Sequence, residues 1–172
     1  MHMKHILPIL TLTTLAAAAS AQAAAAAPAA AGLNYNRVGL GYSTDTKGYS
    51  LSATAVLGSS NFWVGAATTI GGKGTTNGDD SVAIGYLFAN VYAGIDATVS
   101  VGSNESYGLG LRKALGNNLE VAASLGRNSS DNNVWGAELA YNVSKQIQLA
   151  VGYSNEQGAA NGTTDLTVRY NF

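Results

Sequence analysis

Histidine, the side chain best suited to moving protons near neutral pH, occurs in this sequence only at His2 and His5. Both fall in a leader expected to be removed. A serine nucleophile downstream would need another base, such as lysine, and Lys47, Lys73, Lys113 and Lys145 sit at loops or strand ends without an evident partner. Cysteine is absent, which excludes disulfides, thiolate metal ligands and a lipid anchor on an N-terminal Cys. Gly71-Gly-Lys-Gly-Thr-Thr76 has the residues of a phosphate loop but not the G-x-x-x-x-G-K-[ST] spacing, and it opens no helix. It reads as an outer loop. Asp79-Asp80 beside it could draw a divalent cation, yet adjacent carboxylates are ordinarily solvated loop charge. The expectation is a chain that is not an enzyme and needs neither cofactor nor metal.

A different set of residues is spaced to interact. Arg37, Asp96, Arg112, Glu120, Glu138, Asp165 and Arg169 all lie within segments that alternate polar and apolar residues. Strand residues two apart share a face, so each of these charges falls on its segment's polar face. Arg112 and Glu120 flank a tight turn and can pair directly across a hairpin. Asp96, on the preceding segment, could extend that pair. Arg37 and Arg169 would meet where the first segment closes on the last.

The elements that must position them run from Leu33 to the end. Leu166, Val168, Tyr170 and Phe172 oppose Asp165, Thr167, Arg169 and Asn171, and Val38, Leu40 and Tyr42 oppose Arg37, Gly39 and Gly41. Ten such segments can be marked out, with eight as the alternative count. Short connections at 58–60, 89–90, 116–118 and 142–145 alternate with longer polar ones at 44–47, 71–80, 102–106, 127–133 and 155–162. Segment lengths suit a tilted membrane crossing of about 9–11 residues. Short turns on one side, long loops on the other and an even strand count belong to outer-membrane barrels.

Tyr42, Tyr49, Tyr107, Trp135 and Tyr153 gather at the loop ends, and Tyr35, Phe62, Phe88, Tyr92, Tyr141, Tyr170 and Phe172 at the turn ends. Two belts of this kind mark lipid–water interfaces. The fold class expected is all-β, an antiparallel up-and-down transmembrane β-barrel. A soluble sandwich or a β-solenoid would also alternate, but a sandwich needs a more charged exterior.

Composition agrees. Charged residues make up 11% of the 172, against about 25% in soluble domains. The net charge of −1 gives no reason to expect nucleic acid as a partner. Residues 1–23 read as a signal peptide: Lys4 in a basic start, an apolar run from Ile6 to Ala19, and a small-x-small site at Ala21-Gln22-Ala23. Residues 24–32 form an alanine-rich periplasmic stub, and 33–172 the barrel domain.

The segment Asp165-Leu-Thr-Val-Arg-Tyr-Asn-Phe172 resembles the terminal strand of outer-membrane barrels. That resemblance implies recognition by the barrel-assembly machinery, with Tyr170 and Phe172 as anchors, and escort by periplasmic chaperones. Leu33-Asn-Tyr-Asn36, the glycine-tyrosine strand ends, and Tyr107-Gly-Leu-Gly-Leu-Arg-Lys-Ala-Leu-Gly116 leading to Asn118-Leu-Glu120 are similar in layout to small ten-stranded outer-membrane proteins of the xanthomonad type. This implies an outer-membrane location among lipids and lipopolysaccharide, with the oligomeric state open. Three functional readings follow. The leading one is an envelope-structural or surface-contact barrel whose inward charges neutralise one another and plug the lumen, since small barrels fill with side chains. The rival is a narrow channel for ions or very small solutes. A vesicle-borne or secreted signalling or adhesion factor is the third.

Overall fold

The computed structural model describes residues 33–72, 80–116, 118–128 and 130–172. The expected leader and stub lie outside the described residues, as do Lys73, Asp79 and most of the 71–80 loop. The strands are β1 Arg37–Ser43, β2 Tyr49–Val56, β3 Phe62–Ile70, β4 Ser81–Tyr92 and β5 Ile95–Gly102, then β6 Tyr107–Leu115, β7 Leu119–Arg127, β8 Asn133–Asn142, β9 Ile147–Glu156 and β10 Thr163–Asn171. Each pairs antiparallel with its neighbours in sequence, and β1 pairs with β10 from Arg37↔Asn171 to Ser43↔Asp165. The sheet is therefore a closed ten-stranded barrel, and the eight-strand count is set aside.

The period-two pattern decides which way each side chain points. In β1, Leu40 is 53% exposed on the outer surface while Gly39 and Gly41 are buried toward the lumen. Val82, Val101, Leu125 and Val168 are likewise exposed outside, whereas Asp96 is fully buried inside. Large apolar residues cover the outside and charges lie within, the reverse of a soluble protein. Rings pack across strands near both rims: Tyr42 on Tyr49 with centroids 5.2 Å apart and Trp135 near Tyr153 at the loop end, Phe62 edge-on to Tyr86 at 5.1 Å toward the turn end.

Two local expectations are corrected. The turn placed at Ala89-Asn90 is a bulge inside β4, where the register with β5 shifts between Phe88 and Tyr92. The reversal lies at Ala93-Gly94, which joins the paired Tyr92 and Ile95 with φ of 45° and 79°. Two successive positive φ values give a turn whose twist matches that of the flanking strands. Asn90 also has positive φ, 52°, and its side-chain oxygen accepts the Gly94 N–H at 2.9 Å. An asparagine that looked like a turn centre instead braces the turn from within the strand.

The second correction is Tyr35, expected in the turn-end belt. It lies inside the barrel, 8% exposed. Residues 33–36 precede β1 and fold across the turn-end lumen, where Leu33, Tyr35 and Leu87 form the buried apolar core with Val56, Trp63 and Ala114 against it. Among the described residues, no helix is long and apolar enough to cross a membrane.

Candidate functional site

The lumen has two halves, and residue size sets the difference. Toward the loop end the inward positions are glycine, serine and threonine, placed opposite one another: Gly41↔Ser50, Gly39↔Ser52, Gly110↔Thr98 and Gly136↔Ser124. A Cβ on Gly41 would lie 2.5 Å from the Ser50 Oγ, and one on Gly110 2.6 Å from the Thr98 Oγ1. The walls are packed with small groups and leave the centre hollow. A cavity of about 380 Å³ results, with Ser50, Thr98, Ser124 and Thr167 on its walls and Arg37, Arg112, Arg169, Glu138 and Asp165 also lining it. A second space of about 420 Å³ shares Thr98, Gly110 and Ser124 with the first and reaches Trp63.

Toward the turn end the lumen is filled, by a charge network along the β6–β10 wall and by residues 33–35 packed on Val56, Trp63 and Leu87 of β2–β4. Arg112 Nε and Nη2 donate to one oxygen of Glu120, at 2.7 and 2.6 Å. The other Glu120 oxygen accepts Gln148 Nε2 at 3.1 Å, and that amide also reaches Asn142 Oδ1 at 2.9 Å. The Gln148 carbonyl accepts Arg169 Nη1 at 3.1 Å, and the same guanidinium makes a paired contact with both oxygens of Glu138. Arg37 Nη1 stands 4.0 Å from Glu120. A continuous run of charge-assisted bonds therefore crosses β6, β7, β9, β10 and β8. Bonds of this type are shorter and stronger than neutral ones, and buried members such as Arg112, Glu120 and Gln148 need their partners because an unpaired buried polar group is costly.

Asp96 belongs to the same floor through a different neighbour. It accepts the Tyr35 hydroxyl at 3.0 Å and the Asn90 N–H at 2.8 Å. Arg112, opposite Asp96 in register, lays its guanidinium carbon 4.2 Å from the centre of the Tyr35 ring, a cation–π contact. Arg112 Nη2 also donates to the Asn34 carbonyl at 3.1 Å. Burial pushes the Tyr35 hydroxyl above the usual phenol range, so it remains a proton donor to Asp96. Asp165 stands apart, opposite Ser43 near the loop end of the same cavity.

Arg112, Glu120, Arg37, Glu138, Arg169 and Asp96 are thus gathered at the turn end, and Asp165 is not. The sequence spacing pointed to the Arg112–Glu120 pair. It missed Gln148 as the link between the two ion pairs, although Gln148 alternates onto the inward face. It also missed Tyr35 and Asn34. Tyr35 and Leu33 have the same parity as the inward Arg37, and that signal places them inside. Tyr170 is half exposed on the outer face, and the Phe172 N–H donates to the Asn36 carbonyl at 3.1 Å.

The site gathers three guanidinium groups and four carboxylates, and Arg37 Nη1 and Arg112 Nη1 are buried without a hydrogen-bond partner. Nothing in it pairs a nucleophile with a base. What the cavity offers chemically is hydroxyl groups on its walls and charged groups at its floor.

No protein-family model matches the chain, and no curated protein matches it in sequence. Among solved structures it is similar to a KdgM porin in complex with disordered oligogalacturonate, at 11% identity over 79% of this chain and 99% of that one, with a TM-score of 0.55. A second KdgM porin structure gives 12% identity, 80% and 98% coverage and a TM-score of 0.49. The Acinetobacter baumannii outer membrane protein Omp33 gives 12% identity, 82% and 100% coverage and a TM-score of 0.37. At such identities the likeness to the first of these shows the fold alone, and that fold is a porin-like closed β-barrel.

Proposed function

We propose that this chain is a non-enzymatic integral barrel of the Gram-negative outer membrane that offers a narrow, normally closed passage to ions or very small hydrophilic solutes. The observation that carries the reading is the hollow, hydroxyl-lined loop half of the lumen ending on a charged floor. A purely structural barrel gains nothing from an empty half, since interior space forfeits packing. The apolar exterior supports insertion: closed barrels leave no unpaired backbone edge in hydrocarbon, and the outward Leu, Val and aromatic residues would meet acyl chains and lipopolysaccharide. The leader expected at 1–23 supports export, and Tyr170 and Phe172 are proposed as contacts for the barrel-assembly machinery. The KdgM structure with an oligogalacturonate is that of a porin, which accords with solute passage here. An envelope-structural role remains the second reading, favoured by the closed floor.

The first test is gel mobility of the unboiled against the boiled protein from isolated outer membranes, followed by planar-bilayer recording. A heat-dependent shift and small, discrete conductance steps altered by Glu120→Ala or Arg112→Ala are expected. No shift, with the protein in the soluble fraction, overturns insertion. A shifted, inserted protein without conductance leaves the structural role in its place.

A further inference from the structure

We infer that Leu33–Tyr35 is a displaceable plug, pivoting at Asn36, and that its withdrawal from the turn-end mouth opens the passage; this rests on the channel reading above. The plug is covalently outside the wall. It precedes β1, lies across the lumen and supplies no rung of the β ladder.

Its seat is unlike the rest of the interior. Inward positions elsewhere carry mostly glycine, alanine, hydroxyl, amide or charge, whereas Leu87, Val56 and Trp63 together present larger apolar side chains toward the turn end, and Leu33 and Tyr35 pack on them. Leu87 is 2% exposed with the plug packed in its cluster. Apolar side chains facing a polar lumen have a physical reason when something apolar docks on them.

The bonds divide at Asn36. Its side-chain oxygen accepts the Val56 N–H at 2.8 Å and its carbonyl accepts the Phe172 N–H at 3.1 Å, so this residue is clamped to the strands on both sides of β1. Beyond it, the plug is held by the Thr54 hydroxyl on the Tyr35 carbonyl at 2.8 Å, by the Tyr35 hydroxyl on Asp96, and by Arg112 on the Asn34 carbonyl and the Tyr35 ring. Each wall group released by withdrawal is a hydroxyl, carboxylate or guanidinium that water entering the mouth would solvate. Arg112 keeps Glu120, and Glu138 keeps Arg169, so the wall network survives without the plug. Binding energy of the seat alone then sets how often the mouth is open.

The chain contains no cysteine, so Leu87→Cys places a unique thiol under the plug. Its reaction with a charged, water-soluble thiol reagent is followed in the inserted barrel, alone and together with Leu33→Ala/Tyr35→Ala, with heat-dependent mobility confirming that each variant is folded. Ala114→Cys, on the same cluster, is the substitute should Leu87→Cys not fold. The double alanine change is expected to raise both the labelling rate and the conductance several-fold, with Tyr35→Phe between it and the unaltered protein. Folded variants labelled at the same rate as the parent overturn the plug. Faster labelling with no conductance in any variant overturns the passage, and with it the channel reading, while locating the failure there and not in the plug's mobility.

Discussion

Glu120 is the residue on which the turn-end floor converges. One oxygen takes both donors of Arg112 and the other takes Gln148. Removing it leaves a buried guanidinium without its counter-charge, and loss of one partner of a buried pair costs about 3–5 kcal/mol. Glu120→Ala is therefore expected to lower unfolding stability in lipid or detergent by up to that amount. Glu120→Leu combined with Arg112→Leu is expected to recover most of it, because the pair vanishes together. Denaturant titration of the variants checks both, and a double variant as unstable as the single one contradicts the account. At this scale the sequence was partly legible. The Arg112–Glu120 pair follows from alternation across a short turn, a local relation. The Arg169–Glu138 pair reaches over β9 and depends on the stagger between strands, which alternation does not specify. On β9, Gly152 stands opposite Glu138 and Gln148 opposite Arg169, so the pair meets on a diagonal across that strand.

Strands were the most legible elements, because inside and outside impose opposite chemistry on successive residues. The same contrast predicts that the cost of an outward charge depends on its depth along the strand. Leu40→Arg at the middle of β1 faces outward and is expected to cost about 2–4 kcal/mol in a bilayer, whereas Lys113, close to its turn, can snorkel to the interface. Reconstituted-barrel unfolding measures this, and a negligible cost at Leu40 would contradict an acyl-chain environment. Turns were less legible. Ala89-Asn90 had the residue types of a turn, and the true reversal was distinguished only by the glycine at the second of two positive φ positions. Gly94→Ala, at φ of 79°, is expected to destabilise by about 1–2 kcal/mol. Gly152→Ala is expected to be near neutral, since its Cβ would meet nothing closer than 3.8 Å. Equal effects at the two sites would show that conformation is not the cause.

The barrel as a whole was legible from the even strand count and the alternating connection lengths, which force the ends of the sheet together. The division of its lumen was not read, although the inward Gly and Ser near the loop ends recorded it. The plug escaped for another reason. Leu33-Asn-Tyr-Asn36 continues the alternation of β1, and a pattern alone cannot distinguish a strand that leaves the sheet from one that stays in it. Closure also governs how the molecule must be made. The last strand of the barrel, β10, is one of the two neighbours of the barrel's first, β1. Until β10 emerges, the growing chain has two bare edges, and neither can be left in hydrocarbon without losing backbone hydrogen bonds. Successive truncations into β10 should therefore not weaken the barrel by degrees. Insertion should persist and then fail abruptly, at the truncation that leaves β10 too short to close the ring.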